Sequence, residues 1–455
     1  MSLKISISGV RGIANESLTP DIALDFALAF GTYCKGGKVI LGYDTRLSGP
    51  FFKHAVISGL MATGCDIVDI GVVPTPTVQI MVREMNAAGG LIITASHNPV
   101  MWNGLKFVRN DGIFLNESQA QEVIDIYNSM RDTLGKSSQR VSYRDFNNLG
   151  SLSEFKDGLS IHKDKVLKVV NTDLIKSKKF KVAIDVCNGA GAVVLPALLE
   201  ELGCEVTVLN HEPSGRFAHN PEPVPQNLTE LSTMMNSGTF DIGFAVDADA
   251  DRLAILNEQG EPIGEDYTLT LVTDYMLSQT TGGGLVVTNL STSQCIDEIA
   301  ARYGATVIRT RIGEVNVSEV LKDKKATVGG EGNGGVMVPA IGFGRDTLVG
   351  ISFVLELLAT RNKTLSGIVM DMPQYIMVKD KIEFSADIEL ELIMKRIREK
   401  YSHYPIDDKD GIKILFDRNW VHIRPSNTEP IIRIIAEDVS REGAQALIAA
   451  IKGFF

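Results

Sequence analysis

Three related α/β units followed by a C-terminal α+β domain are the fold that the sequence predicts. Three observations predict it. A unit of apolar run, polar loop, amphipathic helix and second apolar run recurs three times. Each copy is followed by another short apolar run that ends in a polar, chemically loaded loop. After about residue 370 the pattern changes to a helix, several β-branched runs and a last helix.

The first copy is KVILGYDTRLSGPFFKHAVISGLMATGCDIVDIG from Lys38. The second is KVAIDVCNGAGAVVLPALLEELGCEVTVLN from Lys181, and the third is GLVVTNLSTSQCIDEIAARYGATVIRTRIG from Gly284. In the second, Val194, Leu195, Leu198, Leu199 and Leu202 recur at helical spacing. A strand, crossover helix and strand of this length form a βαβ unit with parallel strands. The elements that follow are AGGLIITASHNPVMWNGLKFV, FDIGFAVDADADRLAIL and ATVGGEGNGGVMVPA. Their loops occupy equivalent positions. Ligands of α/β sheets gather beyond strand carboxyl ends, so the three loops are expected to face one central cleft. The polar stretch 131–150 reads as a connector. In the tail, DIELELIMKRIREKY reads as a helix, GIKILFD, WVHIRPS and IIRIIAED as antiparallel strands, and REGAQALIAAIKGF as a closing helix.

Composition excludes several classes. The chain has 455 residues, 44% hydrophobic and 22% charged, which suits globular domains rather than a disordered or fibrous protein. Its 45 basic and 56 acidic side chains give a net charge of −11, a poor match to nucleic acid or an anionic membrane surface. The five cysteines include no CxxC pair and no zinc spacing, so buried thiols in a reducing compartment are expected. The N-terminal MSLKISISGVRG lacks the apolar core of a secretory signal. The richest apolar stretch, GISFVLELLA, is interrupted by Glu356 and is too short to span a bilayer. A cytoplasmic protein is expected.

Four loops carry chemistry. In TASHNP (94–99), Ser96 follows a strand and precedes His97, a setting for a nucleophile or phosphoryl carrier, although a capped turn offers the same residues. In DADADR (247–252), Asp247, Asp249 and Asp251 fall on one face if the segment is extended, and such carboxylates suit a hard cation such as Mg²⁺, or only a solvated acidic turn. An EF-hand has the same alternation and Glu258 at its twelfth position, but Arg252 stands where that loop needs glycine. Arg252 beside the carboxylates suits a phosphoryl group. In GGEGNGG (329–335), Glu331 and Asn333 suit hydroxyl groups, or the loop is only flexible. In RPSNTEP (424–430), Arg424, Ser426, Asn427 and Thr428 offer the donors of a phosphate cradle or an ordinary turn.

Together and in this order, the loops resemble the α-D-phosphohexomutase family of phosphoglucomutases, phosphomannomutases and phosphoglucosamine mutases. Supporting matches are GVRG (9–12), GYDTRLSG (42–49), GVVPTPTV (71–78) and NGLKF (103–107), so the resemblance spans essentially the whole chain. It implies four domains around a central cleft, drawn at 1–150 with the phosphoserine loop, 151–256 with the metal loop, 257–370 with the sugar loop and 371–455 with the phosphate loop. It implies a phosphoserine at Ser96, Mg²⁺ on Asp247, Asp249, Asp251 and the seryl phosphate, and basic groups Arg11, Lys106 and Arg252 at the transferring phosphoryl group. Lys106 is then a candidate acid/base, with the catalytic candidate His97 next to the phosphoserine. Glu331 matches the ligand of the sugar hydroxyls, and Arg424, Ser426, Asn427 and Thr428 match the loop that holds the second phosphate. A hexose 1,6-bisphosphate is the expected activator, a sugar phosphate the partner, and a monomer or homodimer the expected assembly. The tail domain is expected to move with ligand.

One departure stands out. Many members carry GExSGH in the sugar loop, whereas Asn333 and Gly335 occupy the serine and histidine positions here. Asn427, where many phosphoglucosamine mutases have glycine, leans towards a phosphoglucomutase/phosphomannomutase, with phosphoglucosamine mutase as the alternative. Two other classes compete. A non-catalytic sugar-phosphate binding protein would show a damaged serine or metal loop, and neither is damaged. A metal-dependent hydrolase would not need both a sugar loop and a distal phosphate loop.

Overall fold

The computed structural model describes residues 3–131, 141–383, 389–425 and 431–455. Among them, the three repeats form three mixed sheets with one shared strand order. In the second repeat, Lys181–Asp185 lies between Glu205–Leu209 and Ile242–Val246, both parallel to it, and Leu253–Leu256 returns antiparallel. The third repeats this with Leu285–Asn289, Thr306–Thr310, Val328–Glu331 and Gly335–Met337. The first does so with Val39–Tyr43, Ile67–Val72, Gly89–Ile93 and Trp102–Arg109. Its sheet is widened by Lys4–Ser6 and Gly9–Ile13 at one edge. At the other edge, Leu152–Glu154 pairs parallel with Ile67–Asp69, so this sheet takes a strand from beyond the boundary expected at residue 150. The open edge of Ile67–Val72 supplies unpaired backbone groups that the returning chain satisfies.

The serine, aspartate and glycine loops are the hairpin connections between the third parallel strand and its antiparallel return, one in each sheet. The expected equivalence of the three loops therefore holds in the backbone topology. Among the described residues, the tail is an antiparallel sheet of five strands, in the order Ile376–Glu383, Ile431–Asp438, Trp420–Pro425, Ile412–Leu415 and Ile406–Asp407. Helices Leu390–Lys400 and Arg441–Lys452 accompany it. The first and last of those strands in chain-edge position, Ile376–Glu383 and Ile406–Asp407, were not among the strands read from the sequence.

The second and third units share one continuous apolar core. Helix Thr347–Arg361 runs through it and is buried from Thr347 to Ala359. An all-round apolar helix needs such a place. Its Glu356 is not left bare, since Oε1 accepts from the Asn171 backbone N–H at 2.9 Å. Asp346 caps this helix by accepting from Leu348 N and Val349 N, and also meets His162 at 2.7 Å, which in turn meets Thr77. One buried polar chain thus ties all three α/β units together. All five cysteines are buried and free. No described helix is long and apolar enough to cross a membrane.

Candidate active site

Ser96 sits at the tip of the first hairpin with φ +51, in the left-handed region that a serine seldom adopts. Such a conformation costs about 1–2 kcal/mol and persists only where the surroundings hold it. Arg46 does the holding. This guanidinium is 1% exposed, donates to the carbonyls of Ser96, Asn98, Pro99 and Trp102, and pairs with Asp44 at 3.0 Å. Asp44 also accepts from Thr94, whose Oγ1 accepts from Ser96 N. The result turns Ser96 Oγ onto Asp247 Oδ2 at 2.8 Å and places it 3.2 Å from His97 Nδ1.

Asp247, Asp249 and Asp251 converge, each fully buried, with one ligand atom apiece inside a 4.8 Å group. They do not converge as alternate residues of an extended strand, as the spacing suggested. The segment turns at Ala250, φ +51, and Asp251 N and Arg252 N donate back to Asp247 Oδ1. Strands Ile242–Val246 and Leu253–Leu256 flank the turn, which excludes an EF-hand, and Glu258 binds Ser366 instead.

Asp249 Oδ2 accepts from Thr75 at 2.6 Å and from Lys106 at 2.7 Å, and Asp251 Oδ2 accepts from Arg345 at 2.7 Å. Asp249 Oδ1 and Asp251 Oδ1 are buried without a hydrogen bond among the described residues. Unpartnered buried carboxylate oxygens are costly. Two such atoms beside Asp247 form a hard-oxygen donor set that fits a divalent cation such as Mg²⁺. Burial and the neighbouring Asp249 and Asp251 hold the Asp247 carboxyl well above the usual range. Burial opposes the ionisation of Asp249 too, but Lys106 outweighs it and holds the carboxyl low. Lys106 is 4% exposed; burial works against its charge, and Asp249 and Asp251 overcome that and raise its pKa. It is a cation here, suited to donating a proton or a hydrogen bond rather than accepting one.

Arg11, on strand Gly9–Ile13, stands in the field of Asp249, Asp251, Arg252 and Arg345, with burial lowering its pKa. Arg252 approaches Glu222 at 3.6 Å and Asp251 at 4.0 Å. Burial, then Arg252 and Arg11, push the His97 imidazole down to about 2, so it is neutral near pH 7.

Glu331, 3% exposed, accepts from Asn289 at 2.9 Å, the Gly313 backbone at 3.2 Å and Arg345 at 3.0 Å. A carboxylate offers about four lone-pair positions, so roughly one is left for a ligand hydroxyl. Asn333 Oδ1 is buried and has no hydrogen-bond partner among the described residues. The hairpin needs glycine at 334, where φ is +83 and a Cβ would lie 2.4 Å from the Leu253 carbonyl.

A cavity of about 300 Å³ is lined by His97 of the first unit, Arg252 of the second, Glu331 and Asn333 of the third and Arg424 of the tail. All four units thus meet in one cleft. Ser96 and the three aspartates do not line it; they are buried beside His97 and Arg252. Arg424 is held by Asp410 at 3.0 Å, while Ser426, Asn427 and Thr428 lie outside the described residues. Sequence reasoning missed Arg46, Asp44, Thr75, Arg345, Asn289 and Arg433, the last of which also lines the cleft. Signals existed for several of them: Asp44 and Arg46 lie in the matched string GYDTRLSG, and Asp44 and Asn289 stand at the carboxyl ends of equivalent repeat strands. Thr75 lies in the PTPT run, whereas Arg345 follows no pattern.

The phosphoglucomutase/phosphomannomutase domain families match along the chain: alpha/beta/alpha domain I over residues 3–133, domain II over 161–260, domain III over 264–375 and the C-terminal domain over 378–453. A phosphoglucomutase/phosphomannomutase of Thermococcus kodakarensis is 40% identical over 445 residues, 96% of this chain and 95% of its own. A probable phosphoglucosamine mutase of Methanopyrus kandleri is 36% identical over 444 residues, 97% of this chain and 95% of its own. The crystal structure of a phosphoglucomutase/phosphomannomutase family protein from Burkholderia thailandensis shares the fold, with a TM-score of 0.84 at 23% identity over 99% of this chain and 97% of that one. With the four domain families matched in chain order and relatives this similar over nearly its full length, the chain belongs to the phosphoglucomutase/phosphomannomutase family, the α-D-phosphohexomutases.

Proposed function

We propose that the protein is a Mg²⁺-dependent, cytoplasmic phosphohexomutase of the phosphoglucomutase/phosphomannomutase type, interconverting hexose 1-phosphates and 6-phosphates through phospho-Ser96 and a bisphosphate. The observation that carries this reading is the Ser96 hydroxyl, held 2.8 Å from Asp247 beside two unpartnered carboxylate oxygens. The reading assigns the serine loop to a unit over 1–150, the metal loop to 151–256, the sugar loop to 257–370 and the phosphate loop to 371–455. Phosphoglucosamine mutase is the second reading, favoured by relatives such as that of Methanopyrus kandleri.

In the forward half-reaction the sugar hydroxyl oxygen bonds to phosphorus as the bond from phosphorus to Ser96 Oγ breaks. The hydroxyl proton ends on Ser96 Oγ. Lys106, a cation, is the donor that can supply a proton to that oxygen and regain one from the sugar hydroxyl, while neutral His97 Nδ1, 3.2 Å from Ser96 Oγ, is its hydrogen-bond partner. The bisphosphate turns over, and Ser96 Oγ takes the other phosphoryl group back by the reverse steps. Asp247, Asp249 and Asp251 would hold Mg²⁺, which when bound offsets charge on the phosphoryl oxygens. Lys106, Arg11 and Arg252 offset the rest from fixed positions, which is where phosphoryl transfer gains most. Glu331 and Asn333 orient the sugar. Arg424 and Arg433, with Ser426, Asn427 and Thr428, hold the phosphate that is not reacting.

The test is a panel of glucose, mannose, glucosamine and N-acetylglucosamine 1-phosphates, with Mg²⁺ and a trace of hexose 1,6-bisphosphate, followed by NMR. Appearance of 6-phosphate without free phosphate is expected, and the ranking names the sugar. Free phosphate would point to a hydrolase, and no conversion to a binding protein. Ser96→Ala is expected to lower turnover by roughly 10³-fold or more while leaving the melting temperature nearly unchanged. Near-normal turnover in that folded variant would sink the phosphoserine assignment.

A further inference from the structure

We propose that Arg345 is the positioning residue that locks the metal loop to the sugar loop, and that Gly335 is glycine in order to admit it. The inference rests on the mutase reading above. Arg345 lies in the loop before helix Thr347–Arg361, and its side chain is 9% exposed. Nη2 donates to Asp251 Oδ2 at 2.7 Å and Nη1 to Glu331 Oε2 at 3.0 Å. Nε lies 3.1 Å from Glu314 Oε2. The three carboxylates come from the aspartate turn, strand Val328–Glu331 and helix Glu314–Asp323. One planar cation therefore sets the spacing between the carboxylate expected to hold the metal and the one expected to hold the sugar. Arginine suits this place because its rigid fork can serve two carboxylates at once and stays charged when buried, whereas a lysine offers a single point charge.

The path of this side chain crosses Gly335. A Cβ built there would lie 2.2 Å from Arg345 Cδ and 2.8 Å from Cγ, and 3.1 Å from Asn333 Oδ1. These are middle atoms of a chain pinned at both ends, so they cannot swing aside without breaking contacts to Asp251 or Glu331. Gly335 has no positive φ, so its backbone would accept any residue; only the space requires glycine. A histidine at 335 and this course of Arg345 exclude one another. The missing histidine of the sugar loop is thus no gap. The space it would take is filled by an arginine arriving from a different element, and that arginine reaches the metal loop as well.

A double-mutant cycle of Gly335→Ala and Arg345→Ala tests this, with Arg345→Lys as the conservative variant. Three quantities are read: kcat and KM separately, Mg²⁺ affinity by calorimetry without sugar, and the thermal melt. Gly335→Ala is expected to lower kcat/KM by about 10-fold or more and Mg²⁺ affinity several-fold, although it adds only one methyl group. Arg345→Lys should not restore either. Adding Gly335→Ala to Arg345→Ala should cost less than about 2-fold more, because the clash then has no partner. Fully additive losses, or a Gly335→Ala protein with wild-type Mg²⁺ affinity and kcat/KM, would overturn the proposal. Should Gly335→Ala not fold, Arg345→Gln takes its place in the metal titration, where unchanged affinity overturns and weakened affinity supports. Failure of the wild type to convert any sugar phosphate would instead remove the mutase reading, and the metal titrations would still decide whether Gly335 and Arg345 act as a pair.

Discussion

At the scale of single residues, the site is a balance of buried charges. Asp249 holds Lys106 and Thr75 through one oxygen and leaves the other unpartnered. Asp249→Asn keeps the shape and removes the charge. It is expected to weaken Mg²⁺ binding by about 10-fold or more, since carboxylate charge dominates affinity for hard cations. Calorimetric titration checks this, and an unchanged isotherm would rule out Asp249 as a ligand. The same substitution removes the main partner that keeps Lys106 charged, so the Lys106 pKa should fall. Ser96, the three aspartates and Lys106 were legible as residue types in recognisable strings. Arg345 was not, because its chemistry depends on carboxylates that are 14 and 94 positions away along the chain.

At the scale of elements, the hairpin loops owe their shape to groups outside them. The serine loop is built around Arg46, which donates to four of its carbonyls from the end of a different strand. Arg46→Ala would strip those carbonyls and leave Asp44 buried without its cation. A loss of about 3–5 kcal/mol is expected, typical of breaking a buried pair. Urea denaturation measures it, and a loss under about 1 kcal/mol would mean that the loop holds itself. Turnover should fall as well, because φ +51 at Ser96 persists only where the surroundings hold it. The aspartate loop teaches a related point. Alternate spacing suggested an extended face, yet the carboxylates meet through a turn closed by Asp247 accepting from Asp251 N and Arg252 N. Residue spacing marked three carboxylates that do meet but not the geometry by which they meet, because an Asx-type turn competes well with extended backbone.

At the scale of the whole molecule, the tail sheet closes the cleft against the third unit. Lys413 of the tail donates to the Leu290 carbonyl, Ser291 meets His422, and Gln294 N donates to Glu437. The loop after strand Leu285–Asn289 therefore holds Glu331 through Asn289 and receives the tail through its next residues. Asp266 lies at the same junction and accepts from Ser293 N at 2.8 Å. Burial pushes its carboxyl up to about 7, with Lys379 only partly opposing. A raised carboxyl pKa means that the folded state binds the proton more tightly. Its stability contribution is therefore fullest below the ordinary value of 3.8 and is lost as pH rises to about 7. Wild type should lose stability relative to Asp266→Asn across that window. Denaturation midpoints below about pH 5 and above about pH 8 check it, and parallel curves would show that Asp266 is ionised throughout.

Local sequence determined the repeats, the periodicity of strands and helices, and the identity of the four loops. Each of these is written in neighbouring residues, through side-chain alternation, helical spacing and turn chemistry. Only the tertiary structure decided which side chains of the hairpin tips and the tail line the expected cleft, that Ser96 is strained onto Asp247, and that Arg345 joins two loops across Gly335. Those facts depend on contacts between residues far apart in the chain. Burial there sets both the strength of each charge and the room for each side chain, and neither quantity exists until the units have packed together.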